Sequence, residues 1–222
     1  MGENISLTAS DGFKLAAWRA TPVGRPVGGM VVLQEIFGVN AHMKRVTERF
    51  AAQGYLAICP ALFDRAAPGA DLGYGQEDMA KGRALRMATT LDQNLADIAG
   101  AIGAAAKGGK VGVVGFCWGG ALAFMAAARL SGIAAGVGYY GGGIAAALNE
   151  RPNVPVMLHF GAKDAHIPMS DVAKIRAAFP EMPVFDYPAG HGFNRDRSAA
   201  YDEASAKLAR ERSLAFFKTH MG

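Results

Sequence analysis

Val111-Gly-Val-Val-Gly-Phe-Cys-Trp-Gly-Gly120 decides how the chain is read. Its β-branched valines and small residues read as a buried strand, and Ala121-Leu-Ala-Phe-Met-Ala-Ala-Ala128 reads as a helix directly after it. A strand therefore enters a helix through a very tight turn with Cys117 at the apex. This is the Gly-x-nucleophile-x-Gly pattern of a nucleophile elbow, with cysteine where serine is usual. Gly115 and Gly119 have a steric reason to be there, since strand and helix nearly touch at such a turn and a Cβ would clash. The apex backbone is expected to be strained, as happens where a side chain must be presented. A structural cysteine after a glycine-rich turn would look the same locally, so the rest of the chain has to decide.

Working outward, short apolar runs recur, each ending in an unusual segment. Met30-Val-Val-Leu33 ends in Gln34-Glu-Ile-Phe-Gly38, and Tyr55-Leu-Ala-Ile-Cys59 is stopped by Pro60. Residues 133–140 lead into Gly141-Gly-Gly143, 154–160 into Gly161-Ala-Lys-Asp164, and 184–187 into Pro188-Ala-Gly-His191. Helical patterns lie between them: 41–53 with Met43, Val46 and Phe50 on one face, 77–107 in two pieces, 170–179 with Ser170 as its cap, and 198–220. Residues 4–8 and 13–19 flank Ser10-Asp-Gly12 and read as a hairpin. Residues 61–75 are an irregular, glycine-bearing loop of a length that is often functional. Strands alternating with helices predict a single α/β domain over 1–222. It should have a mostly parallel central sheet, helices on both faces and an antiparallel N-terminal edge.

Composition narrows the function. In 222 residues, 51% are hydrophobic and 19% charged, as in a compact globule rather than a disordered chain. The net charge of +4 comes without a lysine or arginine block, so no nucleic-acid partner is expected. Two cysteines, Cys59 and Cys117, make no disulfide framework, and the N-terminus lacks a signal pattern. Both point to the cytoplasm. Met1-Gly2-x-x-x-Ser6 matches a myristoylation pattern formally, but no second membrane signal accompanies it. No apolar run has transmembrane length, so no membrane partner is expected.

In open parallel sheets, sites form at the carboxyl ends of strands. Glu35, Cys117, Asp164 and His191 all fall there. Cys117, Asp164 and His191 follow the nucleophile–acid–histidine order of α/β-hydrolases. A thiol needs a base to take its proton, and an imidazole needs a carboxylate to fix its tautomer and stabilise its charged form. His191, between two glycines, is poorly placed for a core role. His159 sits inside a strand and reads as core, and His166 lies just beyond Asp164, where it could line the site. A thiol sensor is the alternative, with Cys59 as resolving partner of Cys117, but it leaves His191 and Asp164 without a role.

The chain resembles the dienelactone hydrolase (carboxymethylenebutenolidase) family of the α/β-hydrolase superfamily along nearly its whole length. The resemblance rests on Gln34-Glu-Ile-Phe-Gly38, Gly115-Phe-Cys-Trp-Gly-Gly120, Gly138-Tyr-Tyr-Gly141, Gly161-Ala-Lys-Asp164 and His191-Gly-Phe-Asn-Arg195. It implies a carboxylic ester hydrolase of aromatic degradation that opens an enol-lactone such as dienelactone. A Cys117-Asp164-His191 triad and a thioester would carry the reaction, with no metal or organic cofactor. A carboxylesterase acting on another activated ester is the alternative. The resemblance also implies that Glu35 contacts the resting thiol and that Arg195 binds a substrate carboxylate. The backbone N–H groups of Ile36 and Trp118 should form the oxyanion hole. A second arginine is expected from the middle region, where Arg83 and Arg86 are the candidates. Tyr140, beside a glycine-rich loop, is expected to line the pocket. The partner is a small-molecule lactone or ester, and the protein is expected to be a monomer or small homo-oligomer.

Overall fold

The strand of the elbow lies in the interior of the sheet. In the computed structural model, which describes residues 2–222, Val111–Phe116 (β5) is buried at every position. The other strands are Gly2–Thr8 (β1), Lys14–Ala20 (β2), Gly28–Leu33 (β3), Tyr55–Pro60 (β4), Ala135–Tyr139 (β6), Val156–Gly161 (β7) and Val184–Tyr187 (β8). They form one eight-stranded sheet in the order β1-β2-β4-β3-β5-β6-β7-β8. The β1–β2 and β2–β4 pairings are antiparallel, and from β4 to β8 the strands run parallel. The α/β class and the antiparallel N-terminal edge are therefore as expected.

The helices are Ala41–Ala52 (α1), Gln76–Met87 (α2), Leu91–Ala105 (α3), Trp118–Arg129 (α4), Met169–Ala178 (α5) and Glu203–Met221 (α6). Alternation along the strands splits the core in two. Met30, Val32 and Val114 pack with Met43 and Val46 of α1 and Phe216 and Phe217 of α6. Val31, Leu33 and Val113 pack on the opposite face with Leu95, Ile98 and Ile102 of α3 and Leu122 of α4. Strands covered on both faces read as continuous apolar runs, which is why β3 and β5 stood out in the sequence.

Three local readings are corrected. Helix α5 begins at Met169 behind Pro168, and Ser170 lies inside its first turn rather than capping it. Helix α6 starts at Glu203, with the Asp202 side chain accepting from Ser205 N at 2.9 Å. The preceding residues stay irregular because Arg197 is left-handed (φ +59°) and the Ser198 hydroxyl closes a turn onto the Arg195 carbonyl at 2.9 Å. Cys59 cannot resolve Cys117. Val31 pairs with Ile58 on one side of β3 and Val32 with Val114 on the other, so Cys59 lies level with Val114, two strands away. Two strand spacings are about 9–10 Å, and Cys117 is further still along the chain, beyond the ~7 Å Cα limit for a disulfide. Burial pushes the Cys59 thiol up to about 12, and both cysteines are free.

In the N-terminal myristoylation pattern, Met1 lies outside the described residues, and the Gly2 amide donates to Glu48 Oε1 at 2.9 Å within the fold. Among the described residues, no helix is long and apolar enough to cross a membrane.

Candidate active site

The elbow is built by close backbone approach. A Cβ on Gly115 would lie 1.8 Å from the Gly119 carbonyl oxygen, and one on Gly119 would lie 2.5 Å from the carbonyls of Leu33 and Gln34. Only glycine lets the start of α4 seat between the ends of β5 and β3. Cys117 itself has φ +55° and ψ −119°, a strained conformation for a residue with a side chain. That kink lifts the thiol off the strand and places the Trp118 amide at the first turn of α4.

The thiol meets His191. Its Sγ is 3.2 Å from His191 Nε2, and His191 Nδ1 is 2.7 Å from Asp164 Oδ2. Asp164 leaves the end of β7, and its other oxygen accepts from the amides of His166 (2.8 Å) and Ile167 (3.2 Å). The turn role and the pairing with His191 therefore coexist in one carboxylate, each oxygen having its own partners. Burial alone would push the His191 ring toward neutrality. The bonds to Asp164 and Cys117, with the negative charge they bring, outweigh it and raise the ring to about 10. Burial likewise opposes the Asp164 charge, yet the bond to His191 and the two amides hold its carboxyl below the usual range. Three groups from the ends of β5, β7 and β8 thus form one hydrogen-bonded line.

Two backbone amides near the elbow, those of Ile36 and Trp118, are unspent. Among the described residues, neither the Ile36 nor the Trp118 N–H is taken by an acceptor of the chain. Gly119 sits against the Leu33 and Gln34 carbonyls, which brings the loop carrying Ile36 to the first turn of α4. Helix α2 backs this loop, since a Cβ on Gly82 would lie 2.0 Å from the Ile36 carbonyl oxygen.

Glu35 differs from expectation. It makes no hydrogen bond to Cys117. Its buried carboxylate (0% exposed) is held by Arg195, with Nη2 2.9 Å from Oε1 and Nε 3.0 Å from Oε2. A buried carboxylate needs a charged partner, and Arg195 meets that need better than a thiol. Arg195 is boxed by Phe37 and Tyr74, whose ring centroids lie 5.2 and 4.5 Å from its guanidinium carbon. The guanidinium also packs against Gly192, where a Cβ would lie 3.0 Å from Cζ, so it lies against the turn that carries His191.

The next residue, Asp196, takes His42 Nδ1 at 3.0 Å, Arg45 at 2.6 Å and Arg49, clamping this loop to α1. Burial opposes its charge, but Arg45, His42 and Arg49 hold the carboxyl well below its usual range. Tyr74, His42 and Asp196 were not singled out in the sequence. The irregular 61–75 loop was the one signal for Tyr74.

Tyr140 is a second departure. It is fully buried (0% exposed), with its ring 5.0 Å from His191 and 5.3 Å from Phe193, so it underlies the histidine rather than lining an open pocket. Arg83 is exposed on α2 and reaches only Met79 Sδ, at 3.5 Å. Arg86, one turn on from Gly82, lines a recess of about 320 Å³ with Trp118 and Met125. Arg86 thus shares a recess with the elbow residue Trp118. His166 is exposed, with its ring 5.3 Å from that of His191. His159 is core, bonded to Tyr187 Oη (2.8 Å) and Ser213 Oγ (3.0 Å).

A cysteine elbow with an ordered histidine and acid is chemistry for acyl transfer, and comparison with known proteins names the group. The dienelactone hydrolase family profile matches residues 15–221. The chain belongs to the dienelactone hydrolase family. It is 37% identical to a carboxymethylenebutenolidase of Pseudomonas putida, over 96% of this chain and 95% of that protein. It is 36% identical to a putative carboxymethylenebutenolidase of Synechocystis, over 94% and 93% of the two chains. A crystal structure of a putative dienelactone hydrolase from Klebsiella pneumoniae superimposes with a TM-score of 0.85 at 32% identity, covering 97% of this chain and 99% of that one. The dienelactone hydrolases are hydrolytic, and this member is accordingly a carboxylic ester hydrolase.

Proposed function

We propose that the protein opens enol-lactones of the dienelactone type, with Cys117 as nucleophile, His191 as base and acid, and Asp164 as the group that orients His191. The observation that carries this reading is the unbroken line Cys117–His191–Asp164, at 3.2 and 2.7 Å.

The thiolate of Cys117 attacks the lactone carbonyl carbon, and the new oxyanion is received by the amides of Trp118 and Ile36. Collapse breaks the ring C–O bond, expels the enolate and leaves a thioester on Cys117. The enolate takes the proton that His191 had drawn from the thiol and rearranges to the ketone, which leaves His191 neutral. His191 then removes a proton from water, whose oxygen attacks the thioester, and the thiolate departs. One water is consumed and one acid released. A thiolate is itself easily expelled from a tetrahedral intermediate, so a cysteine elbow suits substrates whose leaving group is good, such as enols, over alkyl esters or peptides.

Arg195 supplies selectivity in this reading. Glu35 occupies its Nε and Nη2, and Nη1 remains for a substrate carboxylate beside the His191 turn. Arg86 is the candidate for a second cation. The remaining assignments are a single domain over 1–222, no metal or organic cofactor, a monomer or small homo-oligomer, and a cytoplasmic setting.

Incubation with cis- and trans-dienelactone tests the reading by its product, maleylacetate. Release by the wild-type protein and none by Cys117→Ala is expected. Turnover of p-nitrophenyl esters without any of dienelactone would favour the carboxylesterase alternative.

A further inference from the structure

A cavity of about 300 Å³ lies between α1 and α6, on the sheet face that those two helices cover. None of Glu35, Cys117, Asp164, His191 and Arg195 lines it. Its wall is made of rings. Phe116 and Tyr139 stack with centroids 4.8 Å apart, and Tyr139 Oη is tied to Ser213 Oγ at 2.7 Å, so that side is fixed. Phe50 and Leu214 pack on the core yet are only half-buried, and both line the cavity. An apolar cavity of roughly 150 Å³ already takes up benzene, so this one has room for a ring and a polar group attached to it.

The charged lining is mostly cationic: Arg49, Lys207 and Arg210 stand against one acid, Glu211. Lys207 lies one turn before Glu211 on α6 and offsets that charge. Arg49 gives Nη2 to Asp196, a carboxylate it shares with Arg45. Arg210 gives Nη1 to Asn194 Oδ1 at 3.3 Å, and that partner carries no charge. The rest of both guanidiniums takes no acceptor among the described residues. Positive charge beside a ring-lined apolar cavity fits an anion with an apolar body, and the flat N–H fork of arginine matches a carboxylate. Asn194 and Asp196 flank Arg195, so these contacts set the cavity behind the catalytic loop rather than in its pocket.

We propose that this cavity is a second ligand site, separate from the catalytic centre, for a small aromatic carboxylate: the ring lies among Phe50, Phe116, Tyr139 and Leu214, and the carboxylate accepts from Arg210 and Arg49. A flat ring packs offset or edge-on against such walls. The site is independent of which ester the enzyme hydrolyses.

Isothermal titration calorimetry of the full chain with benzoate tests it. Wild type should show a saturable benzoate site that Arg195→Gln leaves in place, and neutral benzamide should bind there about fivefold more weakly, the scale of one exposed ion pair. Arg210→Gln should weaken benzoate by a similar factor. Leu214→Trp, which fills the cavity from a half-buried position, should abolish the site, with both variants keeping the wild-type circular dichroism. No saturable binding at millimolar benzoate overturns the proposal. Binding that Arg195→Gln removes and Leu214→Trp leaves intact overturns it too, because benzoate then occupies the catalytic pocket. Benzamide or hexanoate binding as tightly as benzoate overturns the ligand class.

Discussion

His191 follows β8 and His159 lies within the neighbouring parallel strand β7, and each has both ring nitrogens engaged. Burial pushes both toward neutrality. His191 faces a carboxylate and a thiol, and is raised to about 10. His159 faces two hydroxyls, with the Arg212 cation nearby, and is lowered to about 3. The charge of the partners, more than the depth of burial, decides whether a buried imidazole can carry a proton. One histidine is thereby fitted to acid–base chemistry and the other to packing.

The comparison can be broken most severely at the first histidine. His191→Phe and Cys117→Ala should each lower dienelactone turnover by about 10³-fold or more while far-ultraviolet circular dichroism stays unchanged. Asp164→Asn keeps the shape but removes the charge, and a loss of about 10²–10⁴-fold is expected because the ring loses its orienting acceptor. Steady-state kinetics on the purified variants decides each case.

The second histidine should be silent in kinetics and visible in stability. His159→Phe leaves both hydroxyls partnered, since Ser213 also bonds Tyr139 and the Ala209 carbonyl, and Tyr187 also accepts from Arg212. Turnover should change less than twofold. In the wild type, the folded ring stays neutral down to about 3 while the unfolded one takes a proton near 6.5, so stability present above 6.5 is lost as pH falls toward 3. Urea titrations at pH 7 and pH 5 should show a smaller acid loss in the variant.

The sign reverses at His191. Its folded value lies above 6.5, so its contribution is present below 6.5 and lost as pH rises toward 10. Asp164→Asn should flatten that alkaline limb in the same titrations.

The smallest effect belongs to the sulfurs. Iodoacetamide should label Cys117 and leave Cys59, buried and shifted to about 12, unlabelled in the folded protein.

The chemistry that the sequence disclosed was carried by backbone demands. Gly115, Cys117 and Gly119 announce a turn that other residues could not make, and β3 and β5 announce themselves by being apolar on both faces. Asp164 and His191 were legible because each closes a strand in a glycine-rich turn. What stayed hidden depends on which side chains meet. Glu35 and Arg195 lie 160 residues apart, and nothing local says that the carboxylate prefers the arginine to the thiol. Tyr140 looks like a pocket residue beside its glycines, yet the left-handed turn at its own Cα sends it beneath His191. The start of α6 was misplaced because Arg197 and Ser198 form a turn whose residue types also suit a helix.

Acid-quench mass spectrometry during dienelactone turnover tests the central assignment most directly. The account predicts a substrate-derived acyl adduct on the peptide containing Cys117, and none on the peptide containing Cys59. Full turnover by Cys117→Ala, with no adduct on Cys117 in the wild type, would contradict it.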